Sequence, residues 1–511
     1  MNHTKGILEV AIAGWTGDDQ QEHGGKAASW GGAKKPIHFF LRALLCLSCI
    51  IGTFQADAAC NLPWVKDAQI PTCPQTGSSI LSDEYPALAY FVDSHLPDDL
   101  KKTIEKVSRD RPPALIESQK FEAGEWAQDF FEAFFDKRTG KPVLRLTRDG
   151  EYLSSSAGAR LSGLVKSLED CGVAIGPTLQ MPRLDNNEKK FLGAYAGGNI
   201  EGLPGGLCMH GDSQKAEYAD QYCSRENQVI PKTKWLRVGH ADEMIDVVPT
   251  PKKPCGYLVQ YASPAKGLEL LKDRRSDAFM KPPEYSGRSP DGLIVLCRAW
   301  AEKNVTNEPE SSEPEKHGVN NRQSSDLFRI FFSQIVTPAY ADVELDAPAD
   351  PVEAATQKCL KIGITNGQAL DVINTNLELK QANELIEKNA SADATMAAKR
   401  IREGLRKQGR TCDVHVVPLP DLFAARVVKK DNGQVELEDR SGDSLLPNPT
   451  NSLIANGTVL YPKPFNSVFE DYLSKLYGQN NINSQPINSW TLHSNQGNVH
   501  CGTHAIRFCK P

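Results

Sequence analysis

The chain has 511 residues, of which 24% are charged and 40% hydrophobic. That is the balance of a globular protein, long enough for one large domain or two to three smaller ones. The net charge of −6 argues against a nucleic-acid binder, which normally carries a basic excess, and leaves room for a cationic substrate without identifying one.

Residues 1–33 are polar and Gly-rich, and read as a disordered leader or as a stretch ahead of the true start. Residues 34–58 follow the pattern of a secretory signal peptide. Lys34, Lys35 and Arg42 form a basic lead, Leu41 to Phe54 an apolar core, and Ala56-Asp57-Ala58 a small-x-small cleavage site. The core falls short of the roughly 20 residues that span a bilayer. The protein is therefore expected to be secreted or periplasmic, with no stable membrane insertion after cleavage. An uncleaved anchor is the alternative; a lipoprotein at Cys60 would carry an apolar residue where Asp57 stands.

Thirteen cysteines are present, with Cys46 and Cys49 in the signal. If Cys501 is a free thiol, ten remain, able to form up to five disulfides in an oxidising compartment. No paired CxxC motif points to structural zinc.

Residues 59–83 form an irregular lead-in, and 84–511 read as a single mixed α/β unit. Residues 97–108 predict a capped amphipathic helix, and 157–169 repeat apolar positions at helical spacing. Residues 256–262 and 293–298 read as buried strands. The charged stretch 302–325 reads as a flexible insertion, and the apolar run 327–336 as packing on the core. Residues 378–408 predict one or two amphipathic helices, and 413–423 a strand entering a turn. No glycine-rich phosphate loop supports nucleotide binding.

Four blocks concentrate chemistry-bearing residues: Glu125-Trp126-Ala127-Gln128-Asp129 with Glu132, Gly197-Gly198-Asn199-Ile200-Glu201, Val238-Gly239-His240-Ala241-Asp242-Glu243 with Asp246, and Gly497-Asn498-Val499-His500-Cys501-Gly502-Thr503. Singly, each has an ordinary reading. His240 and Asp242 would face one way on a strand as a hydrogen-bonded pair. Asp129 could be a helix cap or a surface acid, and Gln128 with Glu132 a solvated helix face. Cys501 could be a structural thiol or the disulfide partner of Cys509, and the GGN block a simple turn.

In order and together, the blocks resemble the catalytic domain of protein-arginine deiminases. Two further segments share the resemblance: Asn448 to Leu453 followed by Tyr461-Pro462-Lys463-Pro464-Phe465, and Cys412 to Phe423. The resemblance covers residues 84–511 and has no counterpart of the vertebrate enzymes' N-terminal β-sandwich domains. It implies a five-bladed α/β propeller, the pentein fold, with the site on its axis. It also implies that arginine side chains of proteins or peptides are hydrolysed to citrulline and ammonia through a thiouronium on Cys501, with His240 as general acid/base and Asp129 and Asp242 binding the guanidinium. Trp126, Asn199 and Arg148 are the implied further substrate contacts. Gln128, Glu132 and Glu201 match one calcium site of the family; Phe130 stands where a second site would need an acid. The alternatives are a deiminase of agmatine or free arginine, a non-catalytic secreted binding protein on the same scaffold, and a Cys/His peptidase. A peptidase has no use for two carboxylates beside its thiol.

Overall fold

The computed structural model describes residues 71–74, 78–93, 96–108, 114–116, 126–129, 131–136, 142–147, 173–177, 179–186, 189, 195–280, 289–305 and 350–509. The leader, the signal segment, the helix expected at 157–169, the apolar run 327–336, Phe130 and Arg148 lie outside them.

Among the described residues, five three-stranded sheets follow one plan, in which a middle strand pairs antiparallel with one neighbour and parallel with the other. In the first, β1 (Ala87–Asp93) is parallel to β2 (Ala114–Ile116) and antiparallel to a strand near the C-terminus, Thr503–Arg507. The second sets β3 (Phe131–Phe135) against β4 (Pro142–Leu146), with β5 (Ala174–Ile175) parallel to β4. The third repeats this with β6 (Glu201–Leu203), β7 (Leu207–Met209) and β8 (Gln228–Val229). The fourth has β9 (Ile245–Thr250), β10 (Gly256–Ser263) and β11 (Asp413–Pro420). The fifth has β12 (Leu453–Ala455), β13 (Thr458–Pro462) and β14 (Asn483–Ile487). The C-terminal strand Thr503–Arg507 is β15. Two short antiparallel ribbons, Phe423–Ala424 with Asp443–Ser444 and Val427–Lys429 with Val435–Leu437, stand apart.

The helices cover the sheets. Helix α1 (Asp98–Val107) realises the expected amphipathic segment, burying Leu100 and Ile104, but not the expected cap, because Pro97 at the N-cap has no side-chain acceptor. Helix α2 (Pro264–Asp273) starts where Ser263 accepts from the Lys266 N–H and Pro264 opens the first turn. The run 293–298, expected as a strand, lies instead inside helix α3 (Asp291–Val305). A short continuous apolar run does not distinguish the two states. Here it packs against α4 (Pro351–Ile362), to which the Cys297–Cys359 disulfide ties it. Helix α3 also takes in the first residues of the stretch expected to be flexible from 302. Helix α5 (Asn366–Thr375) opens with a complete capping box between Thr365 and Gln368.

The amphipathic segment 378–408 is one helix, α6 (Leu377–Lys407). Its buried alanines Ala382, Ala390, Ala394, Ala397 and Ala398 lie in one core cluster with Tyr257, Val259 and Tyr261 of β10. Helix α7 (Ser467–Gln479) is capped by Asn466, which accepts from Val468 and Phe469. Among the described residues, no helix is long and apolar enough to cross a membrane.

Among the described residues, four disulfides join Cys73–Cys509, Cys208–Cys223, Cys255–Cys412 and Cys297–Cys359. Cys509 is thus taken by Cys73, and Cys501 is a free, buried thiol. The other two cysteines of the expected ten, Cys60 and Cys171, lie outside the described residues.

Candidate active site

The repeated sheet plan positions the site. In each sheet a polar residue stands two or three positions ahead of the outer antiparallel strand: Asp129 before β3, Asn199 before β6, Asp242 before β9, Asn451 before β12 and Cys501 before β15. All five are buried.

The thiol side of the site is knitted together by Asn451. Its Nδ2 donates to Asp242 Oδ2 at 2.7 Å and lies 3.2 Å from Cys501 Sγ. Its Oδ1 accepts from the backbone N–H groups of His500 and Cys501 at 3.0 and 3.3 Å. Asp242 Oδ2 also meets His500 Nδ1 at 2.7 Å and stands 4.0 Å from the thiol. The sequence placed Asn451 only in an asparagine-rich stretch. Its role follows from contacts across 50 residues of chain, which no local pattern carries.

Across from this cluster lie Asp129 and His240. Asp129 Oδ2 accepts from the Trp126 backbone N–H at 3.1 Å, and Thr147 Oγ1 donates to the Asp129 carbonyl at 2.6 Å. Asp129 Oδ1 lies 3.9 Å from His240 Nε2, too far for a hydrogen bond. Two close approaches shape the walls. A Cβ on Gly198 would stand 2.5 Å from His240 Nδ1, and one on Gly497 would overlap the Trp126 ring, so neither position has room for a side chain.

Asp129 Oδ1 and Asp242 Oδ1 are both buried without a hydrogen-bond partner. A bare buried carboxylate oxygen costs about 1–3 kcal/mol or more when nothing compensates it. Two of them beside a thiol form a receptor for a cation with several N–H donors.

Burial first, then the Asp242 charge, pushes the Cys501 thiol well above its ordinary range. Burial opposes the charge on His500, but Glu201 and Asp242 outweigh it and raise the imidazole to about 10. Without a cation bound, proton and charge thus reside on His500 and the sulfur stays protonated.

Gln128 Nε2 donates to Glu201 Oε1 at 3.1 Å, and Glu201 Oε1 lies 3.6 Å from His500 Nδ1. Glu132 is buried and faces His504 at 3.8 Å. Burial raises the Glu132 and Glu201 carboxyls, the latter to about 8. Asn199, expected at the substrate, spends its Oδ1 on the backbone N–H groups of Gly211 and Ala241, at 2.7 and 3.1 Å. It thereby fixes the loop carrying His240 and Asp242. Trp126 is buried against the Gly497 turn, at the edge of the thiol cluster.

The family model described as protein-arginine deiminase (PAD) matches residues 216–307 and 354–510. The chain belongs to the protein-arginine deiminase family. The matched segments carry His240, Asp242, Asn451 and Cys501; Asp129 and Glu201 lie outside them and join the site through the contacts above. At the level of the family, the chain is a deiminase, a hydrolase acting on guanidino groups. No curated protein sequence matches it.

Among solved structures, a candidate peptidyl-arginine deiminase is 11% identical, with TM-score 0.37, 84% of this chain and 98% of that one covered. The agmatine deiminase of C. jejuni is 9% identical, with TM-score 0.35, covering 85% and 97%. That of Enterococcus faecalis is 12% identical, with TM-score 0.36, covering 86% and 98%.

Proposed function

We propose that the protein hydrolyses arginine side chains of proteins or peptides to citrulline and ammonia, with Cys501 as nucleophile. The observation that carries this reading is the pair of buried, unpartnered oxygens, Asp129 Oδ1 and Asp242 Oδ1, on either side of a free thiol. A guanidinium offers N–H pairs to two carboxylates at once, and its charge offsets theirs. That same charge removes much of what holds the sulfur protonated, so substrate arrival favours the thiolate.

The thiol proton passes to His240 as the sulfur bonds to the guanidinium carbon. His240 gives its proton to one amino nitrogen, which leaves as ammonia, and a thiouronium remains on Cys501. His240 next takes a proton from water, the hydroxide adds to the same carbon, and the C–S bond breaks to release the thiolate and citrulline, whose hydroxyl proton leaves with the ammonia as ammonium. Asn451, donating toward both Asp242 and the sulfur, holds the two in register. The Trp126 ring walls the site on the Gly497 side. Arg148 is the proposed grip on the substrate backbone.

Five sheets of one plan, each sending a polar residue into one cluster, support closure of the sheets into a five-bladed α/β propeller. In that ring, β15 completes the sheet begun by β1.

Gln128, Glu132 and Glu201 are the proposed calcium ligands. Gln128 Oε1 and Glu132 Oε2 are buried oxygens without a hydrogen-bond partner, and all three offer the hard oxygen donors that the ion prefers. Bound there, the ion would neutralise the two carboxylates and stiffen the Gln128–Asp129 turn. Secretion or a periplasmic location is proposed from the signal pattern, and the four disulfides support it.

The test is citrulline release from benzoyl-arginine ethyl ester, an arginine-containing peptide and agmatine, with and without calcium, beside Cys501→Ala. Citrulline from the peptide that vanishes in the variant is the expected result. Turnover of agmatine or free arginine alone would move the enzyme to the small-molecule branch. No citrulline from a folded protein would leave a binding scaffold.

A further inference from the structure

A second cavity adjoins the site and plays no part in the chemistry above. It is open to solvent, has room for a group about the size of a water molecule or an ammonium head, and is bounded by Arg237, Glu243, Asp291, Asp443, His493 and Asn498 among others. Two of its walls come from the catalytic segments. Glu243 directly follows Asp242 and accepts the His240 backbone N–H at 3.3 Å. Asn498 accepts the Gly502 backbone N–H at 3.2 Å, so it belongs to the turn that presents Cys501.

The lining is rich in acceptors and poor in donors. Its guanidinium, Arg237, is already engaged, with Nε within 2.9 and 3.0 Å of the two Asp443 oxygens and Nη1 3.3 Å from Asp291 Oδ2. His493 Nε2 and Asn498 Oδ1 are buried and have no hydrogen-bond partner. Burial lowers His493 to about 4, so the ring is neutral, and its other nitrogen serves the Leu445 backbone. The open Nε2 is therefore a lone pair, as is Asn498 Oδ1. Two carboxylates, on Asp291 and Asp443, share the one arginine, and Glu243, whose carboxyl burial raises well above its ordinary range, lines the same cavity. A ligand that satisfies these walls brings N–H donors and positive charge.

We propose that this cavity is a subsite for a second cationic nitrogen of the substrate, supplied by a basic side chain flanking the target arginine. The inference rests on the deiminase reading of the adjoining site. The ammonium of a small aminoalkylguanidine shares the same chemistry, and the experiment separates the two sources.

The full chain, with Asp291→Asn and Gln496→Lys, would be assayed on peptides whose arginine is flanked by lysine, alanine or glutamate, and on agmatine and butylguanidine. Gln496 is a half-buried wall residue whose Nε2 donates to Asp291 Oδ2 at 3.2 Å, so a lysine there brings the cavity its own cation. The expected order of kcat/KM is lysine, alanine, glutamate, spanning at least about tenfold. Both variants should shrink the lysine-to-alanine ratio toward one, with the alanine peptide as internal reference. Should only agmatine over butylguanidine respond to the variants, the second cation is that of a small molecule.

Peptides within about twofold of one another, together with equal use of agmatine and butylguanidine, would overturn the proposal. So would a lysine preference that survives both variants. If Asp291→Asn fails to fold by thermal melting, Gln496→Lys decides alone. Absence of citrulline from every substrate in the unmodified chain refutes the deiminase reading itself, and the subsite with it.

Discussion

The two sides of the catalytic cluster are built differently. Around Cys501, hydrogen bonds from Asn451 and His500 converge on Asp242 Oδ2, and each of the three polar neighbours serves at least two purposes. Around Asp129, the free carboxylate oxygen and the facing His240 nitrogen stand 3.9 Å apart. The knitted side fixes atoms whose positions must not vary between turnovers. The open side leaves valences for the substrate to fill, so binding energy is realised only when a guanidinium arrives.

The contrast breaks most completely at the sulfur. Cys501→Ala should lower kcat/KM by at least about 10⁴-fold, because no other group near the site can form the bond. Citrulline assays on a variant with unchanged circular dichroism would show it, and substantial residual turnover would remove Cys501 from the mechanism. Next come the two aspartates. Asp129→Asn and Asp242→Asn should each cost on the order of 10³-fold in kcat/KM, the loss of one buried charge pair. Asp242→Asn should also change the rate at which iodoacetamide alkylates Cys501 in the free enzyme more than Asp129→Asn does, since Asp242 shares hydrogen bonds with the thiol's neighbours and is the larger of the two charges that raise the thiol. Equal alkylation behaviour in both variants would erase the distinction between the two sides.

Asn451→Ala should be milder, about 10²-fold and mostly in kcat, as expected for a nucleophile displaced by about an ångström. An effect confined to KM would argue that Asn451 meets substrate rather than positions the sulfur.

The smallest effect lies outside the site. Asp421 is another buried acid with an unpartnered oxygen, and no substrate relieves it. Burial raises its carboxyl from 3.8 to about 8. The unfolded chain ionises near pH 4 while the folded one stays protonated to about 8, so this residue subtracts stability progressively as pH rises through that window. Asp421→Asn should flatten that slope and stabilise the protein by about 1–3 kcal/mol at pH 8 relative to pH 4, measured by urea unfolding at both values. An unchanged slope would show that the carboxyl is solvated after all.

Much of this was legible in the residue order, and the gaps have physical causes. The amphipathic helix at 97–108 and the buried strand at 256–262 appear where their periodicity puts them. Residues 293–298 do not, because a continuous apolar run suits a buried helix equally well. The five-sheet plan was invisible along the chain: strands such as Ala174–Ile175 and Gln228–Val229 are too short to show any alternation. The blocks around Asp129, His240, Asp242 and Cys501 stood out because their residue types are chemically unusual together. Asn451 did not, since asparagine beside proline and threonine reads as an ordinary turn. The pairing of Cys509 with Cys73 likewise depends on the C-terminal strand returning to the first sheet.

That return has a consequence for synthesis and maturation. Val92 of β1 pairs with Thr503 of β15, two residues beyond the nucleophile. A growing chain makes β1 early and must leave its edge uncovered while some four hundred further residues are made, a span in which open strand edges invite wrong partners. The strand that finally occupies this edge arrives together with Cys501, and the Cys73–Cys509 bridge can close only afterwards. Assembly of the first sheet and assembly of the reactive centre are therefore one late event. A ribosome-bound or truncated chain is inert for the same reason that it is sticky, and a holding chaperone would matter most in that interval.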